Sequence, residues 1–333
     1  MQRTITSTAA MIRRVLMAGL LILSAQSASA ATASTAELVK KALSGQNLGY
    51  NVLTADGSKA GRIIIRYGNI LEPRGFTDAI VNAANEGLLG GGGIDGMIHK
   101  AAGQQLEIFN QKISQVNTGV RCPIGSARVS PPFKIVSGGN LAKDIAYIIN
   151  TVGPMGSNSD RVRLIQGSYA SSLKLAAYIN QRYLAQVFEP HVDLISPQDP
   201  DIKHWADNVD KLLPSIGPLT PINSIGFPLI SAGIYGYNVK DSAPYALHAT
   251  ITTMQDYAAK IKGLSDIKPF TVIFYFYASN PPPKNALSIY IKNLQKTLND
   301  KGEIRYPEHL HLDLTHNLLD LSQQLSTLAS QIS

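Results

Sequence analysis

The sequence predicts an α/β sandwich built on a mixed, mainly parallel sheet. Apolar strand segments alternate along the chain with amphipathic helical segments, which is the pattern of strands joined by crossover helices. Glycine-rich loops follow two of these strands. The 333 residues are long for one domain and short for two large ones, so we expect one main domain with extensions.

The first thirty residues are typical of a cleaved secretory signal. Arg13 and Arg14 precede an apolar run over 15–23, and an Ala-Ser-Ala triplet at 28–30 closes it. The run is too short to span a bilayer, so we expect a mature chain that begins at Ala31 and is exported, either to a periplasm or out of the cell. A short membrane anchor is the alternative. No later segment is apolar enough to predict stable membrane insertion.

Charge and cysteine usage narrow the function classes. Loss of residues 1–30 removes three arginines and no acid, so the formal charge falls from +7 to +4. This mild excess suits a small anionic ligand and gives no argument for a nucleic-acid partner. Cys122 is the only cysteine, so an internal disulfide and a multi-cysteine metal site are excluded.

Residues 31–60 are predicted to supply a helix and the first strand. A Ser-x-x-Glu pattern at 34–37 is a capping box for a helix near 35–44. An Asp-Gly turn then predicts a hairpin between strands at 49–54 and 61–67.

The middle of the chain continues the alternation. An apolar strand at 79–81 leads through glycines into a helix over 94–113 with a break. Strands are predicted at 126–130 and at 145–151, where a Gly-Pro pair stops the second. The helical spacing of apolar residues predicts a long helix over 160–184.

Six prolines interrupt this rhythm over 186–221, around a short helix at 203–213. We interpret the segment as an insertion, because it is too small to bury its own core. A strand at 224–230, a helix at 240–260 and an aromatic strand at 271–277 complete the alternation.

Residues 281–333 predict a helical extension. One helix after the prolines has an apolar face formed by Leu287, Ile291, Leu294 and Leu298. Apolar residues over 314–332 then alternate spacings of four and three, which is a heptad seam of fewer than three heptads. Two interpretations stay open for it: docking on the body, or association with a partner or a second copy.

The stretch over 78–103 is the most informative. It passes from a strand through four consecutive glycines at 90–93 into a helix, so free backbone N–H groups and the positive end of the helix dipole face one loop. A flexible turn is the alternative. The flanking Asn85, Asp95 and His99 favour a ligand loop.

A second small-residue loop over 231–237 follows a neighbouring strand. Ligands bind at the carboxyl ends of strands in open α/β sheets, so the two loops could grip both halves of a diphosphate. The polar and aromatic candidates between them are Asn82, Asn85, Asp95, His99 and Tyr235.

Each candidate has a chemical and a structural interpretation. Asn85 suits a ribose hydroxyl pair, or only stabilises a turn. Asp95, kept ionised by the helix dipole, suits a base beside a phosphate-bound water, or is simply an acid favoured in a first helical turn. His99, one turn later, orients a catalytic group or is structural, and Tyr235 stacks on a sugar or packs in the core.

Other reactive side chains give no site. His309, His311 and His316 lack a convincing metal-ligand spacing, and we assign them to the solvated segment before the last helix. Cys122 is followed by proline and has no evident base, so we do not expect it to be a nucleophile.

Several motifs resemble the macrodomain family, especially its MacroD-type branch. Residues 78–103 contain N-A-A-N, L-L-G-G-G-G and I-D-G-x-I-H-x-A-A-G in register. Residues 122–127 are similar to that branch's C-x-T-G-x-A segment, residues 147–154 to Y-V-I-H-T-V-G-P, and residues 224–237 to S-I-A-F-P-x-I-S-T-G-x-Y-G-Y-P. The similarity extends from about 61 to 277, outside the insertion.

This resemblance implies a three-layer α/β/α macrodomain over about 61–280 that binds ADP-ribose or an ADP-ribosylated protein. Asn85 would contact the distal ribose against Tyr235, Asp95 would be the catalytic acid residue, and His99 would support it. Asn82 is a further expected contact. The diphosphate would be held by Gly90, Gly91, Gly92, Gly93, Ile94, Ser231, Ala232, Gly233, Ile234, Tyr235 and Gly236.

The activity implied is metal-independent and cofactor-independent hydrolysis of ADP-ribosyl esters, either on acidic side chains or in O-acetyl-ADP-ribose. A non-catalytic reader of ADP-ribose or a scaffold is the alternative. Because ADP-ribosylation needs NAD, which is mainly cytoplasmic, an exported member leads to the hypothesis of action on a host cell.

The chain departs from the family pattern at three positions. Asn69 and Ile70 are expected ligand contacts at the adenine end. Asn69 replaces the aspartate that reads the adenine amino group, and it can accept that hydrogen bond only without the charge. Asn150 replaces a histidine and Ala232 a threonine. We expect neither of these two to hold the core chemistry.

Overall fold

In a computed structural model, the structure describes residues 33–71, 77–135, 145–187, 192–276 and 284–305. The predicted signal at 1–30, the heptad seam at 314–332 and the three histidines that precede or begin it lie outside these ranges. No helix within the described ranges is both long enough and apolar enough to cross a membrane.

The elements alternate as the sequence predicts. The strands are β1 Leu48–Leu53, β2 Lys59–Tyr67, β3 Ala79–Ala83, β4 Ala127–Ser130, β5 Tyr147–Thr151, β6 Ser224–Phe227 and β7 Thr271–Phe276. The helices are α1 Thr35–Leu43, α2 Gly93–Ala102, α3 Gln104–Gln111, α4 Arg161–Val187, α5 Ile202–Ile216, α6 Val239–Lys260 and α7 Lys284–Gln295.

The seven strands form one sheet in the order β1-β2-β7-β6-β3-β5-β4. The inner pairings are parallel, whereas β1 on β2 and β4 on β5 are antiparallel at the two edges. The prediction of a mixed, mainly parallel sheet is therefore confirmed. This topology brings the carboxyl ends of β2, β7, β6, β3 and β5 to one edge of the sheet.

Alternating side chains bury both faces of the sheet. In β3, Val81 enters the large core beneath α4, α6 and α7, while Ile80 joins a smaller core with Ile98 and Leu106 of α2 and α3. Helices therefore cover both faces, and the chain is a three-layer sandwich.

Local signals account for the amino-terminal elements. The Ser34 hydroxyl accepts from the Glu37 N–H and the Glu37 carboxylate accepts from the Ser34 N–H, so the predicted capping box is present. The break predicted within the 94–113 helix falls at Gly103, whose φ of 82° ends α2 before α3 begins.

Three element boundaries were wrong in the prediction. The strand expected to reach 230 ends at Phe227, because Pro228 has no N–H to donate to a ladder. Helix α5 runs through Pro214, which we had expected to end it, and stops at Gly217. Leu298 lies beyond the end of α7.

The inserted segment protects a sheet edge. Asn208 of α5 donates from Nδ2 to the Val129 carbonyl over 2.9 Å and accepts the Val129 N–H at Oδ1 over 2.6 Å. Trp205 Nε1 donates to the Ala127 carbonyl over 3.0 Å. Side chains of α5 therefore supply the hydrogen bonds that the outer backbone groups of β4 would otherwise form with a further strand.

Candidate functional site

A cleft of about 570 Å³ lies at the carboxyl ends of the parallel strands. The loop after β3 forms one wall and the loop after β6 forms the other, as expected for an open α/β sheet. Most of the predicted site residues line it, namely Ile70, Asn85, Gly91, Gly92, Gly93, Ile94, Asp95, Ser231, Ala232, Gly233, Ile234 and Tyr235.

Helix α2 points its amino terminus into this cleft. Its N-cap, Gly92, makes no side-chain capping hydrogen bond, and Gly93, Ile94 and Asp95 of the first turn line the cleft. Backbone N–H groups of this turn have no partner within the helix, and the helix dipole adds positive potential. The arrangement can hold an anion such as a phosphate.

Close packing explains why the loop needs glycines. A Cβ at Gly91 would lie 3.0 Å from Asp95 Oδ2 and 3.2 Å from Asn85 Nδ2. A Cβ at Gly96 would lie 2.5 Å from the Gly91 carbonyl oxygen. The loop is therefore pressed onto the start of α2, and this contact fixes the Asp95 carboxylate beside the cleft.

Asp95 is only 3 % exposed. Asn82 Nδ2 donates to its Oδ1 over 2.7 Å, and His99 Nε2 lies 3.4 Å from the same oxygen. Burial raises the pKa of Asp95, while the Asn82 hydrogen bond and the His99 charge act to lower it. The expectation that the helix dipole keeps this carboxyl group ionised was incomplete, because the cost of desolvation is the larger effect on its pKa.

Asn85 lines the cleft, but its amide also shapes the loop. Its Oδ1 accepts the N–H groups of Gly87 and Leu88 over 3.1 Å each, and its Nδ2 donates to the Gly90 carbonyl over 2.8 Å. The turn-stabilising interpretation is therefore correct for the oxygen. One amide N–H remains available for a ligand hydroxyl.

The opposite wall contributes Ser231. Its φ of 64° is uncommon for a residue with a side chain, and it is 6 % exposed. Within the described part of the chain its hydroxyl has no hydrogen-bond partner. The hydroxyl lies against Gly153, which also lines the cleft, so a rotation of the side chain would be needed to bring it to an anionic ligand.

Five predicted site residues do not line the cleft. Asn82 and His99 lie behind Asp95, and Gly90 packs near the His99 ring. The Gly236 N–H donates to the Gly233 carbonyl in a turn. Asn69 lies between two cleft residues, Gly68 and Ile70, but its side-chain oxygen accepts the Leu71 N–H over 2.9 Å.

Two aromatic residues of this site were not predicted from the sequence. Tyr275 and Phe276, at the end of β7, line the cleft beside Gly68 and Ile70. Their position at the carboxyl end of a parallel strand was the signal that could have identified them. Their side chains are buried on opposite faces of the sheet, Tyr275 with Ile70 in the smaller core and Phe276 against Tyr290 in the larger one, so this end of the cleft is bounded by apolar groups.

Tyr235 lines the cleft, and burial together with Glu86 and Asp95 raises its pKa. Cys122 is fully buried and burial raises its pKa to about 12, so its thiol stays protonated. Among the residues that the structure describes, no three His, Cys, Asp or Glu side chains group closely enough to hold a metal ion.

Comparison with known proteins agrees with this architecture. Residues 81–246 match the family model described as Macro domain. A macro domain-containing protein of Xanthomonas axonopodis pv. citri is 33 % identical over 192 residues, which are 57 % of this chain and 78 % of that relative. A macro domain-containing protein of Chlorobaculum tepidum is 31 % identical over 192 residues, 57 % of this chain and 77 % of its own.

Among solved structures, the Oceanobacillus iheyensis macrodomain with ADP is 24 % identical, with a TM-score of 0.48, and the match covers 75 % of this chain and 95 % of that one. The assignment follows from the identity of the two bacterial relatives and the share of their length that this chain covers, together with the family match over residues 81–246. This chain belongs to the macro domain family.

Proposed function

We propose that this protein binds ADP-ribose in the cleft and hydrolyses ADP-ribosyl esters. The observation that carries the proposal is the position of Asp95, a buried carboxyl group in the first turn of the helix whose amino terminus faces the cleft. An anion site and a candidate base thus lie within one helical turn. The MacroD-type motifs of the sequence support the same assignment.

The cleft offers a distinct surface to each part of the ligand. The first turn of α2 and, after rotation of its side chain, the Ser231 hydroxyl suit the diphosphate. The apolar end of the cleft beside Tyr275 and Phe276 suits the adenine ring, and Asn85 and Tyr235 suit the distal ribose.

In the proposed reaction, a water lodged against the diphosphate attacks near the distal ribose. As Asp95, or the phosphate itself, accepts a proton from this water, the water oxygen bonds to a carbon of the ester linkage and the bond from that carbon to the ester oxygen breaks. The products are a carboxylate and ADP-ribose, and the accepted proton then passes to solvent. Burial raises the pKa of Asp95, which makes its carboxylate a better proton acceptor than an exposed one.

The test is release of ADP-ribose from a protein that carries it on glutamate, with calorimetric binding measured in parallel. Asp95→Asn should abolish release and keep binding. Asp241→Asn is the matched control, because Asp241 occupies the same position in the first turn of α6 but is exposed. Binding by the wild type without any release at micromolar enzyme would contradict the hydrolase.

A non-catalytic reader of ADP-ribose is the second candidate. The observations that favour it are the departure from the family pattern at Asn69 and the additional carboxyl-terminal segment. Tight binding without turnover would support the reader. A scaffold role for the 314–332 segment would predict that truncation after Gly302 abolishes self-association or partner binding.

We also propose that the chain is exported after cleavage behind Ala30, and that its target is an ADP-ribosylated protein outside the producing cytoplasm. The sequence pattern of residues 1–30 supports this. Amino-terminal sequencing of the mature protein from an exported fraction should read Ala31 first. A cytoplasmic chain that retains Met1 would contradict export.

A further inference from the structure

Four buried polar side chains connect Asp95 to the backbone carbonyl of Leu88, in the loop after β3. They are Asn82 of β3, Asn150 of β5, Ser130 of β4 and Asn110 of α3, and none has exposed surface. The register of the sheet places Asn82 directly opposite Asn150. Such a row beneath a cleft is costly unless every hydrogen bond is made, so its pattern of donors and acceptors is informative.

The row is continuous. Asn82 Nδ2 donates to Asp95 Oδ1 over 2.7 Å and to Asn150 Oδ1 over 3.0 Å. Asn150 Nδ2 donates to Ser130 Oγ over 2.8 Å, and the Ser130 hydroxyl donates to Asn110 Oδ1 over 2.6 Å. Its last bond runs from Asn110 Nδ2 to the Leu88 carbonyl oxygen over 2.7 Å.

The Leu88 carbonyl determines the direction of all these bonds. A carbonyl oxygen only accepts, so Asn110 must turn its NH₂ group toward Leu88 and its oxygen toward Ser130. Ser130 must then donate to Asn110 and accept from Asn150. The Asn150 oxygen is left facing Asn82, which must present its NH₂ group to Asn150 and to Asp95.

We propose that Asn110, Ser130 and Asn150 are positioning residues, which hold the Asn82 amide with its N–H toward Asp95. This inference rests on the proposed function only in naming Asp95 as the catalytic residue. The proposal gives Asn150 a positioning role that could change the rate, and it does not make Asn150 part of the core chemistry.

The alternative orientation of Asn82 shows what the row prevents. Its Oδ1 has no hydrogen-bond partner among the described residues. If the amide turned over, this oxygen would face Asp95 Oδ1, and two acceptors would repel each other while the carboxylate is ionised. The intact row therefore favours the ionised carboxylate, the form that accepts a proton.

The other groups that face Asp95 do not belong to the row. His99 lies 3.4 Å from the Asp95 carboxylate on the same helix, and Tyr235, in the opposite loop, is near enough for Asp95 to raise its pKa. Substitutions at Ser130 or Asn110 leave both in place. A change in the titration of Asp95 would therefore report the amide row.

The test uses the Ser130→Ala variant of the full chain. The pKa of Asp95 is measured from the ¹³C shift of its carboxyl carbon, assigned by its loss in Asp95→Asn. Without the hydroxyl, Asn150 has no acceptor and both amides can turn over, so we expect the pKa to rise by about one unit. The acid limb of the pH–rate profile should move upward by the same amount.

Ser172→Ala is the matched control. Its hydroxyl is equally buried and donates over 2.7 Å to the Ser168 carbonyl in α4, on the other face of the sheet. We expect a similar loss of stability and an unchanged Asp95 titration. Asn110→Ala, which touches neither Asp95 nor Asn82, supplies a second variant in case Ser130→Ala does not fold, with the same expected direction.

An unchanged Asp95 pKa in the folded variants would overturn the proposal, as would an equal shift in Ser172→Ala. The NMR titration needs no turnover. A shift in a protein that releases no ADP-ribose would therefore support the positioning row while the hydrolase proposal fails.

Discussion

The burial of Asp95 beside the cleft lowers the stability of the folded state when its carboxyl group is ionised. It is nearly fully buried, and its folded-state pKa is raised above the ordinary value of 3.8 because desolvation outweighs the Asn82 bond and the His99 charge. The folded state therefore holds this proton more tightly than the unfolded chain. Stability contributed by the protonated form is lost as the pH rises through the raised pKa.

We predict that Asp95→Asn is more stable than the wild type at pH 7. The amide carries no charge to desolvate, so the advantage should shrink as the pH falls and should vanish below about 3.8. Urea unfolding over a pH series measures the difference. A variant that is less stable than the wild type by a constant amount at every pH would contradict the desolvation argument.

Gly91 has a steric role in the loop beside Asp95. Its backbone is compatible with alanine, but a Cβ would press on Asp95 and Asn85. We predict that Gly91→Ala lowers the free energy of unfolding by about 1–3 kcal/mol through overpacking. Denaturant titration measures this loss.

Gly233→Ala is the control for Gly91→Ala. It lies in the opposite wall of the cleft, and a Cβ there would meet no protein atom within 4 Å. We expect its stability to be unchanged or raised by about 0.4–1 kcal/mol, since alanine has fewer unfolded conformations. Equal losses in both variants would mean that contact with Asp95 is not the cause.

At the scale of elements, α5 resolves a problem that the sheet topology creates. Strand β4 is an edge, and its Val129 backbone would otherwise be open to pairing with another chain. Asn208 forms hydrogen bonds with both the N–H and the carbonyl of Val129, and Trp205 donates to the Ala127 carbonyl. The insertion therefore covers the sheet edge, and its apolar side chains also extend the main core.

We predict that Asn208→Ala lowers the free energy of unfolding by about 1–3 kcal/mol, because it leaves a buried N–H and a buried carbonyl unpaired. Hydrogen exchange at the Val129 amide should accelerate at the same time. Lys203→Ala, at an exposed position of the same helix, is the control and should change neither quantity. Unaltered exchange at Val129 would show that α5 does not protect the edge.

The sequence predicted the alternation of elements because each signal was local: the capping box at Ser34, the turn at Gly57 and the stop at Gly153. The glycine loop was also predictable, since its residues are contiguous. The row from Asn82 to Asn110 was not, because it joins three strands and a helix whose proximity depends on strand order. Strand order depends on packing between residues that are far apart in the sequence, so it cannot be inferred from the local patterns of one sequence.

At the scale of the whole molecule, the two walls of the cleft approach each other at Ile234. Ile234 is 75 % exposed, yet its Cδ1 would lie 2.7 Å from a Cβ at Gly92 on the opposite loop. The loops after β3 and β6 therefore touch above the cleft between them. We expect a ligand to pass beside this contact as it enters and leaves the cleft.

We predict that Ile234→Ala speeds ligand exchange without loss of stability, because an exposed side chain adds little to the core. Association and dissociation of ADP-ribose, followed by stopped-flow fluorescence, should both accelerate, and the dissociation constant should rise by less than about tenfold, the equivalent of 1.4 kcal/mol. Met155→Ala is the matched control, since Met155 is also exposed, at 55 %, but does not line the cleft. If only dissociation accelerates, Ile234 is a direct ligand contact and does not restrict passage between the two loops.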